Sequence, residues 1–154
     1  MAGFYYKTFM WPRAAWDKLY EPIIRRAAGL GSAPKEGDND HYASRFAHCD
    51  VLVAGGGVAG LTAALSAAKT GAKVMLVDEN ADIGGALRFD TGATIDGLNG
   101  YDWAQRTLAE LKAMPNVQVL QRTTVFGYYN HNFIGLAERV TDHLATPGHE
   151  PRER

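Results

Sequence analysis

Four glycines and one aspartate carry the clearest chemical signal in this sequence. Gly55, Gly57 and Gly60 fit the pattern G-x-G-x-x-G, and Gly56 is an additional glycine in the first gap. Such a turn lets a pyrophosphate approach the backbone, and the free N–H groups of a helix that follows attract a phosphate anion. Asp78 comes about 20 residues later, where an acidic side chain accepts hydrogen bonds from ribose hydroxyls. This spacing predicts a dinucleotide-binding site.

Two strands and a helix must position these residues. Cys49 to Ala54 is a short apolar run that predicts a buried strand of a parallel sheet, and Lys73 to Asp78 predicts the next strand. Val58 to Thr70 favours a helix, which Gly71 ends. A glycine turn that served helix packing alone would explain neither Gly57 nor Asp78. The sequence context therefore favours dinucleotide binding.

The charge of Asp78 bears on which dinucleotide is bound. A carboxylate at the ribose repels the additional phosphate of NADP. NAD or FAD is therefore expected, and the residues alone leave the choice between these two open. The loop after Asp78 contains Gly84 and Gly85, which permit close backbone approach either to the nucleotide or to a neighbouring loop.

Composition excludes several other classes of function. The 154 residues include 16 basic and 17 acidic side chains, so the charge gives no footprint for nucleic acid or for an anionic membrane. Cys49 is the only cysteine, so no internal disulfide or C-x-x-C metal site is possible. Its position beside a buried strand favours a core role over a reactive thiol. A single cysteine suits a reducing compartment, so a cytoplasmic setting is expected. No apolar run is long enough to span a membrane.

The remaining chain predicts a partial α/β domain of the Rossmann-like, FAD/NAD(P)-binding type, with an antiparallel strand insertion and an N-terminal helix. Residues 1–31 form an aromatic-rich segment and a helix that opens at Trp11-Pro12. Residues 32–48 form a polar linker, and residues 49–154 form the binding domain.

Within the binding domain, Asp102 is expected to cap a helix that ends near Met114-Pro115, and Val117 to Gln121 reads as the next strand of the sheet. Thr123 to Tyr129 and Phe133 to Arg139 predict two further strands, with a helix from Phe133 to Leu144 as the rival interpretation. Ala145 to Arg154 is expected to be a loop. No set of residues suggests a catalytic centre or a metal site, so none is assigned.

Four stretches resemble the alpha subunits of heterotetrameric sarcosine oxidases, over nearly the whole chain. They are GFYYKTFMWPRAAWDKLYEPIIRRAAGLG, CDVLVAGGGVAGL, LVDENADIGGAL and RTTVFGYYNHNFIGLAERVTDHL. The resemblance implies an oxidoreductase subunit that acts in the oxidative demethylation of sarcosine, acts on CH–NH groups and carries NAD, with FAD as the alternative. It also implies that the chain is an N-terminal fragment, truncated within the binding domain and inactive in isolation.

The same resemblance implies partners and contacts. The main partner would be the beta subunit, and FMN and tetrahydrofolate would belong only to the full complex. Thr124 and Val125 would offer backbone contacts to adenine. The candidate cofactor contacts are then Gly55, Gly56, Gly57, Val58, Ala59, Gly60, Asp78, Glu79, Gly84, Gly85, Thr124 and Val125.

Two alternatives remain open at this point. One is the FAD- or NAD-binding subunit of a related amine or opine oxidase, which would share the glycine-rich domain. The other is a non-catalytic remnant that only binds a nucleotide.

Overall fold

The computed structural model describes residues 11–31, 35–146 and 148–154. The chain separates into two compact units, Met1–Asn39 and Asp40–Arg154. The division at residues 31 and 48 stays a prediction. The aromatic-rich stretch at residues 1–10 and residues 32–34 of the predicted linker lie outside the described part. No helix among the described residues is long and apolar enough to cross a membrane.

The N-terminal unit contains the expected helix, but in three forms. A 3-10 turn at Arg13–Ala15 leads into a π-helical turn at Trp16–Tyr20 and then into α1, Glu21–Ala27. The regular helix therefore starts later than Pro12, which contradicts the predicted start. Pro22 explains the interruption, because it has no N–H group to donate to the carbonyl four residues earlier. The regular α-helical bonding therefore cannot run from the π-helical turn into α1, and Pro22 lies in the first turn of α1, a position that proline tolerates.

A three-stranded parallel sheet forms the centre of the second unit. Its strands are β1 (Val51–Ala54), β2 (Val74–Val77) and β5 (Val117–Leu120), in the order β1-β2-β5. Every residue of the middle strand β2 is buried, as expected for a parallel strand that is covered on both faces. The Rossmann-like α/β fold predicted from the sequence is confirmed.

Helix α2, Val58–Lys69, connects β1 to β2 and packs on the sheet. Its Leu61 and Ala64 are fully buried, and the core they form includes Leu76 of β2 and Leu111 of a later helix. Truncating such a buried leucine to alanine typically costs about 2–5 kcal/mol. Gly71 ends the helical segment with φ +89°, a conformation that favours glycine. The predicted strand–helix–strand unit is therefore present.

The connection from β2 to β5 differs in part from the prediction. It contains a short antiparallel pair, β3 (Thr94–Ile95) and β4 (Leu98–Asn99), followed by α3, Gly100–Ala113. The cap of α3 is Asn99, whose side chain accepts a hydrogen bond from the N–H of Tyr101 at 3.0 Å. Asp102 lies inside the first turn instead, so the predicted cap is wrong. Asn99 caps the helix because it immediately precedes it, and the oxygen of its short side chain reaches the first free N–H groups.

Two antiparallel strands follow, β6 (Thr123–Tyr129) and β7 (Phe133–Glu138). The rival helix from Phe133 to Leu144 is therefore wrong. The turn between the strands uses positive φ angles at His131 and Asn132.

The last residues of the chain, which were predicted to form a loop, make backbone hydrogen bonds to two other segments. The N–H of Arg154 donates to the carbonyl of Glu138 at 2.8 Å, and the N–H of Glu138 donates to the carbonyl of Arg154 at the same distance. The N–H of Arg152 donates to the carbonyl of His41 at 2.7 Å. This segment therefore joins the end of β7 to residues 41–43 before β1, through backbone pairing that local composition does not reveal.

Candidate functional site

The glycine turn leaves β1 and starts α2 without any side-chain cap. Gly55 has φ +102°, which side chains rarely permit, and Gly57 is the residue that precedes the helix. Because no side chain caps the helix, the N–H groups of its first turn remain available, and they carry the positive end of the helix dipole. Val58 and Ala59 are partly or fully exposed at this end. An anion can therefore approach it from solvent.

Gly60 allows the start of the helix to pack closely against the turn. A Cβ atom at Gly60 would lie 1.8 Å from the carbonyl oxygen of Gly55, which no side chain can accommodate. Gly57 differs, since a Cβ there would meet only Gly85 Cα, at 3.9 Å. The space beside Gly57 is therefore open, as the approach of a pyrophosphate requires.

Gly56 links the turn to Asp78. Its N–H donates a hydrogen bond of 2.6 Å to Oδ2 of Asp78. A Cβ at Gly56 would lie 2.6 Å from Cγ2 of Ile83 and 3.2 Å from that same carboxylate oxygen. The additional glycine in the first gap of the motif is therefore needed for Asp78 and Ile83 to approach the turn. The sequence marked Gly56 only as an extra glycine.

Asp78 immediately follows β2 and is only 7% exposed. Its other oxygen, Oδ1, accepts two hydrogen bonds from Asn80, one from the backbone N–H at 2.8 Å and one from Nδ2 at 3.0 Å. Hydrogen bonds to a charged acceptor are about twice as strong as those between neutral groups, so these bonds hold the carboxylate in place. Sequence reasoning missed Asn80. The signal that could have revealed it is an Asx turn, in which the side chain of an aspartate accepts from the backbone N–H two residues further on.

The loop after Asp78 is fixed from the far side by residues around the start of β6. The carbonyl of Asp78 accepts from the N–H of Thr123 at 2.8 Å, and that of Asn80 accepts from the N–H of Arg122 at 3.0 Å. The carbonyl of Glu79 accepts from the Arg139 guanidinium at 2.6 Å. Gln121 donates through its side-chain amide to the next carbonyl, that of Ala81. Four consecutive carbonyls are thus bonded, so this loop is held in one conformation.

Gly84 and Gly85 bring the end of this loop back to the glycine turn. Gly85 has φ +53°, and a Cβ on it would lie 2.9 Å from Cα of Gly57. Gly84 has φ +145° and lies against the stem of Arg88. The close approach of Gly85 to a neighbouring loop is therefore present, and an approach of Gly84 and Gly85 to the nucleotide stays a prediction.

The expected adenine contacts lie at the start of β6. The N–H of Thr123 donates to the carbonyl of Asp78, so Thr124 and Val125 directly follow the segment that holds the loop after Asp78. Val125 is 37% exposed. The structure therefore brings the glycine turn, the Asp78 loop and the start of β6 to one end of the parallel sheet, the carboxyl ends of its strands. In open α/β sheets, ligands bind at this end.

The described residues offer other features that do not coincide with this site. A groove of about 480 Å³ lies between α2 and α3, and it is lined by Leu65, Lys69, Trp103, Arg106 and Glu110 among others. None of the candidate cofactor contacts lines it. Within the described ranges, no three His, Cys, Asp or Glu side chains are grouped so as to hold a metal.

Comparison of this sequence with known proteins identifies a family that it matches. Residues 50–142 match the model of the FAD dependent oxidoreductase family. The chain is 58% identical over 154 residues to the alpha subunit of sarcosine oxidase from Rhizobium meliloti, a match that covers 99% of this chain and 16% of that protein. It is 45% identical over 120 residues to the alpha subunit of sarcosine oxidase from Corynebacterium sp. strain U-96, covering 78% of this chain and 12% of that protein.

A third similarity concerns an opine oxidase subunit of Rhizobium meliloti. The identity is 36% over 81 residues, which are 50% of this chain and 15% of that protein. The chain thus spans less than a fifth of the length of each of these three relatives. The resemblance to sarcosine oxidase alpha subunits that the sequence suggested is confirmed as a similarity over nearly the whole chain.

Proposed function

The chain belongs to the family of FAD-dependent oxidoreductases, and on that premise we propose that residues 49–154 bind the ADP portion of a dinucleotide in an oxidoreductase of the sarcosine oxidase alpha subunit type. The observation that carries the proposal is the bond between Gly56 and Asp78, which fixes the ribose carboxylate beside the diphosphate turn.

The residues present fit such a group. The N–H groups at the start of α2 suit a diphosphate, and the open space beside Gly57 gives it access. The buried carboxylate of Asp78 suits ribose hydroxyl donors and repels a ribose phosphate. The proposed contacts are Gly55, Gly56, Gly57, Val58, Ala59 and Gly60 for the diphosphate, Asp78 and Glu79 for the ribose, Gly84 and Gly85 beside the turn, and Thr124 and Val125 for adenine.

We propose NAD as the bound dinucleotide, as the resemblance of the sequence to sarcosine oxidase alpha subunits implied. FAD is the second candidate, and the family match at residues 50–142 favours it. Both share the ADP group, so the contacts proposed above serve either one. When bound, NAD or FAD would supply a two-electron acceptor for a hydride. The residues of this chain would hold and orient that group.

We assign no catalytic residue to this chain. The proposed reaction is oxidative demethylation of sarcosine, an oxidation of a CH–NH group, in a cytoplasmic complex that includes a beta subunit. FMN and tetrahydrofolate would bind elsewhere in that complex. We therefore expect the isolated chain, as a fragment of a longer subunit, to bind a dinucleotide without oxidising sarcosine.

A related amine or opine oxidase subunit is the second candidate function, and the 36% identity to the opine oxidase subunit supports it. This candidate uses the same dinucleotide contacts and differs in the amine that is oxidised. A remnant that binds a nucleotide without serving any catalytic complex is the third. Assaying the full-length complex for demethylation of sarcosine and for oxidation of opines separates the three.

Calorimetric titration of the purified 154-residue chain with NAD, FAD and NADP separately tests the binding proposal. We expect saturable binding of NAD or FAD, and binding of NADP that is at least about tenfold weaker because Asp78 repels its additional phosphate. A His131→Ala variant, altered in the β6–β7 turn, is the matched control and should bind equally well. Absence of binding by both NAD and FAD would contradict the proposal.

A further inference from the structure

We propose that Asn80 is a positioning residue that leaves the Asp78 carboxylate a single acceptor position, so that Asp78 binds one ribose hydroxyl instead of two. This inference rests on the proposed dinucleotide function and deepens it. It concerns the same site, and it assigns a role to a residue that the glycine motif does not include.

The count of donors around the carboxylate carries the inference. A carboxylate offers about four acceptor positions, two on each oxygen. Asn80 fills both positions of Oδ1, with its backbone N–H at 2.8 Å and its Nδ2 at 3.0 Å. Gly56 fills one position of Oδ2 at 2.6 Å. One position therefore remains, and it is on Oδ2.

The residues around Asp78 prevent its carboxylate from rotating to expose further acceptor positions. Asp78 is 7% exposed, so its side chain has little room to change rotamer. Asn80 is itself held, because its carbonyl accepts from the N–H of Arg122 at 3.0 Å. The preceding carbonyl, that of Glu79, accepts from Arg139 at 2.6 Å. The Asn80 amide is thus fixed at the end of a bonded loop, and it fixes the plane of the carboxylate in turn.

The consequence for recognition is asymmetric. A carboxylate with both oxygens open can accept from the 2′ and the 3′ hydroxyl together. Here the oxygen Oδ1 is occupied by Asn80, so only one of the two hydroxyls finds an acceptor on Asp78. The chain should therefore discriminate strongly against the loss of one ribose hydroxyl and weakly against the loss of the other.

Titration of the purified chain with ADP, 2′-deoxy-ADP and 3′-deoxy-ADP tests this asymmetry. We expect one deoxy compound to bind about tenfold or more weakly than ADP, since a hydrogen bond to a charged group is lost, and the other to bind within about twofold. Comparable losses for both compounds, or no loss for either, would overturn the inference. If ADP itself fails to bind, the proposed function fails together with it, which is a distinct result.

The role of Asn80 is tested by combining its substitution with the same ligands. Asn80→Ala removes Nδ2, and Asn80→Asp keeps the shape while replacing the donor by a repelling oxygen. Asn80→Ala frees one acceptor position on Oδ1, so we expect the deoxy compound that wild type binds within about twofold of ADP to bind about fivefold or more weakly than ADP in this variant. In Asn80→Asp the repelling oxygen still keeps the second hydroxyl from Oδ1, so the wild-type difference between the two deoxy compounds should remain.

An equal loss for all three ligands in Asn80→Ala, with the wild-type ratios between them retained, would show a merely structural effect and would overturn the positioning role, as would binding of all three that is identical to wild type. Asp82→Ala, in the same loop, is the matched control and should bind all three ligands as wild type does. Thermal unfolding of each variant verifies that it is folded. Should both Asn80 variants fail to fold, the wild-type comparison of the deoxy compounds still decides the inference.

Discussion

The N–H of Gly56 donates a hydrogen bond of 2.6 Å to Oδ2 of Asp78, and this bond ties the glycine turn to the end of the neighbouring strand. Diphosphate and ribose contacts are usually described as separate parts of a dinucleotide motif. In this chain, one buried carboxylate is bonded to the glycine turn and is also the proposed acceptor for the ribose. A change at Asp78 should therefore affect the stability of the turn as well as the binding of the ribose.

We expect Asp78→Ala to lower the free energy of unfolding by about 1–3 kcal/mol, because it leaves the N–H groups of Gly56 and Asn80 without their acceptor. Affinity for NAD or ADP should fall at least about tenfold through loss of the ribose bond. Urea denaturation and calorimetry measure the two effects. Asp82→Ala removes another carboxylate from the same loop and should change stability by no more than about 0.5 kcal/mol. Unchanged affinity would remove Asp78 from the ribose role.

Gly60→Ala should strongly destabilise the protein. The added methyl group would lie 1.8 Å from the carbonyl oxygen of Gly55, which is a backbone atom and cannot move away as a flexible side chain could. We expect the free energy of unfolding to fall by about 3 kcal/mol or more, or the soluble yield to be lost. Urea denaturation of the purified variant provides the measurement. A variant as stable as wild type would contradict the described packing of α2 on β1.

Gly57→Ala should weaken ligand binding and leave the stability of the protein nearly unchanged. Its methyl group would meet only Gly85 Cα, at 3.9 Å, so we expect a change in stability below about 1 kcal/mol. The same methyl group would occupy the space through which a pyrophosphate approaches the backbone, so binding of NAD, FAD and ADP should weaken about tenfold or more. Paired denaturation and titration experiments test this. Full retention of binding would place the diphosphate elsewhere.

The parts of the fold that the sequence predicts are those with local signals. The run from Cys49 to Asp78 contains an apolar strand, a glycine turn and a helical period in direct succession, and each element agrees with its neighbours. The strands β6 and β7 are also recognisable, because residues with β-propensity flank a turn of Asn130, His131 and Asn132. Local preference and final structure coincide in these segments.

The features that the sequence did not reveal depend on distant partners or on very short elements. The strands β3 and β4 have two residues each, too few for any periodicity, although Asp96-Gly97 between them is a favoured hairpin turn. The pairing of Arg152 with His41 joins two segments that each look like polar loops. In the candidate site, Asn80 gains meaning only through its place beside Asp78 and Gly56, which folding brings together.

Asn99→Ala tests the corrected start of α3. Its side-chain oxygen accepts from the N–H of Tyr101 at 3.0 Å, so its removal should lower the free energy of unfolding by about 1 kcal/mol. Asp102→Ala is the matched control. Asp102 lies in the first turn, where its charge favours the helix dipole, and its loss should cost about 0.3–1 kcal/mol at low salt and less at high salt. A larger loss for Asp102 than for Asn99, at high salt, would contradict the assigned cap.

Cys49 provides a prediction for the dependence on pH. Burial raises the pKa of the Cys49 thiol, the charge of Asp50 adds to the rise, and Lys73 opposes it. The rate of alkylation by iodoacetamide should therefore rise at higher pH in the folded chain than in the chain unfolded in urea, since the thiolate is the reactive form. Asp50→Asn should move the profile of the folded chain toward lower pH, because it removes the second cause of the rise.

The raised pKa of Cys49 also makes the free energy of unfolding depend on pH. The folded chain holds the thiol proton more tightly than the unfolded chain does, so the thiolate forms first in the unfolded state. The contribution of Cys49 to stability is therefore fully present below the pKa of the unfolded thiol and decreases as the pH rises above it. Cys49→Ser, whose hydroxyl does not titrate in this range, should flatten the stability profile at alkaline pH in urea denaturation. A wild-type alkylation profile with its midpoint at or below that of the unfolded chain would contradict both expectations.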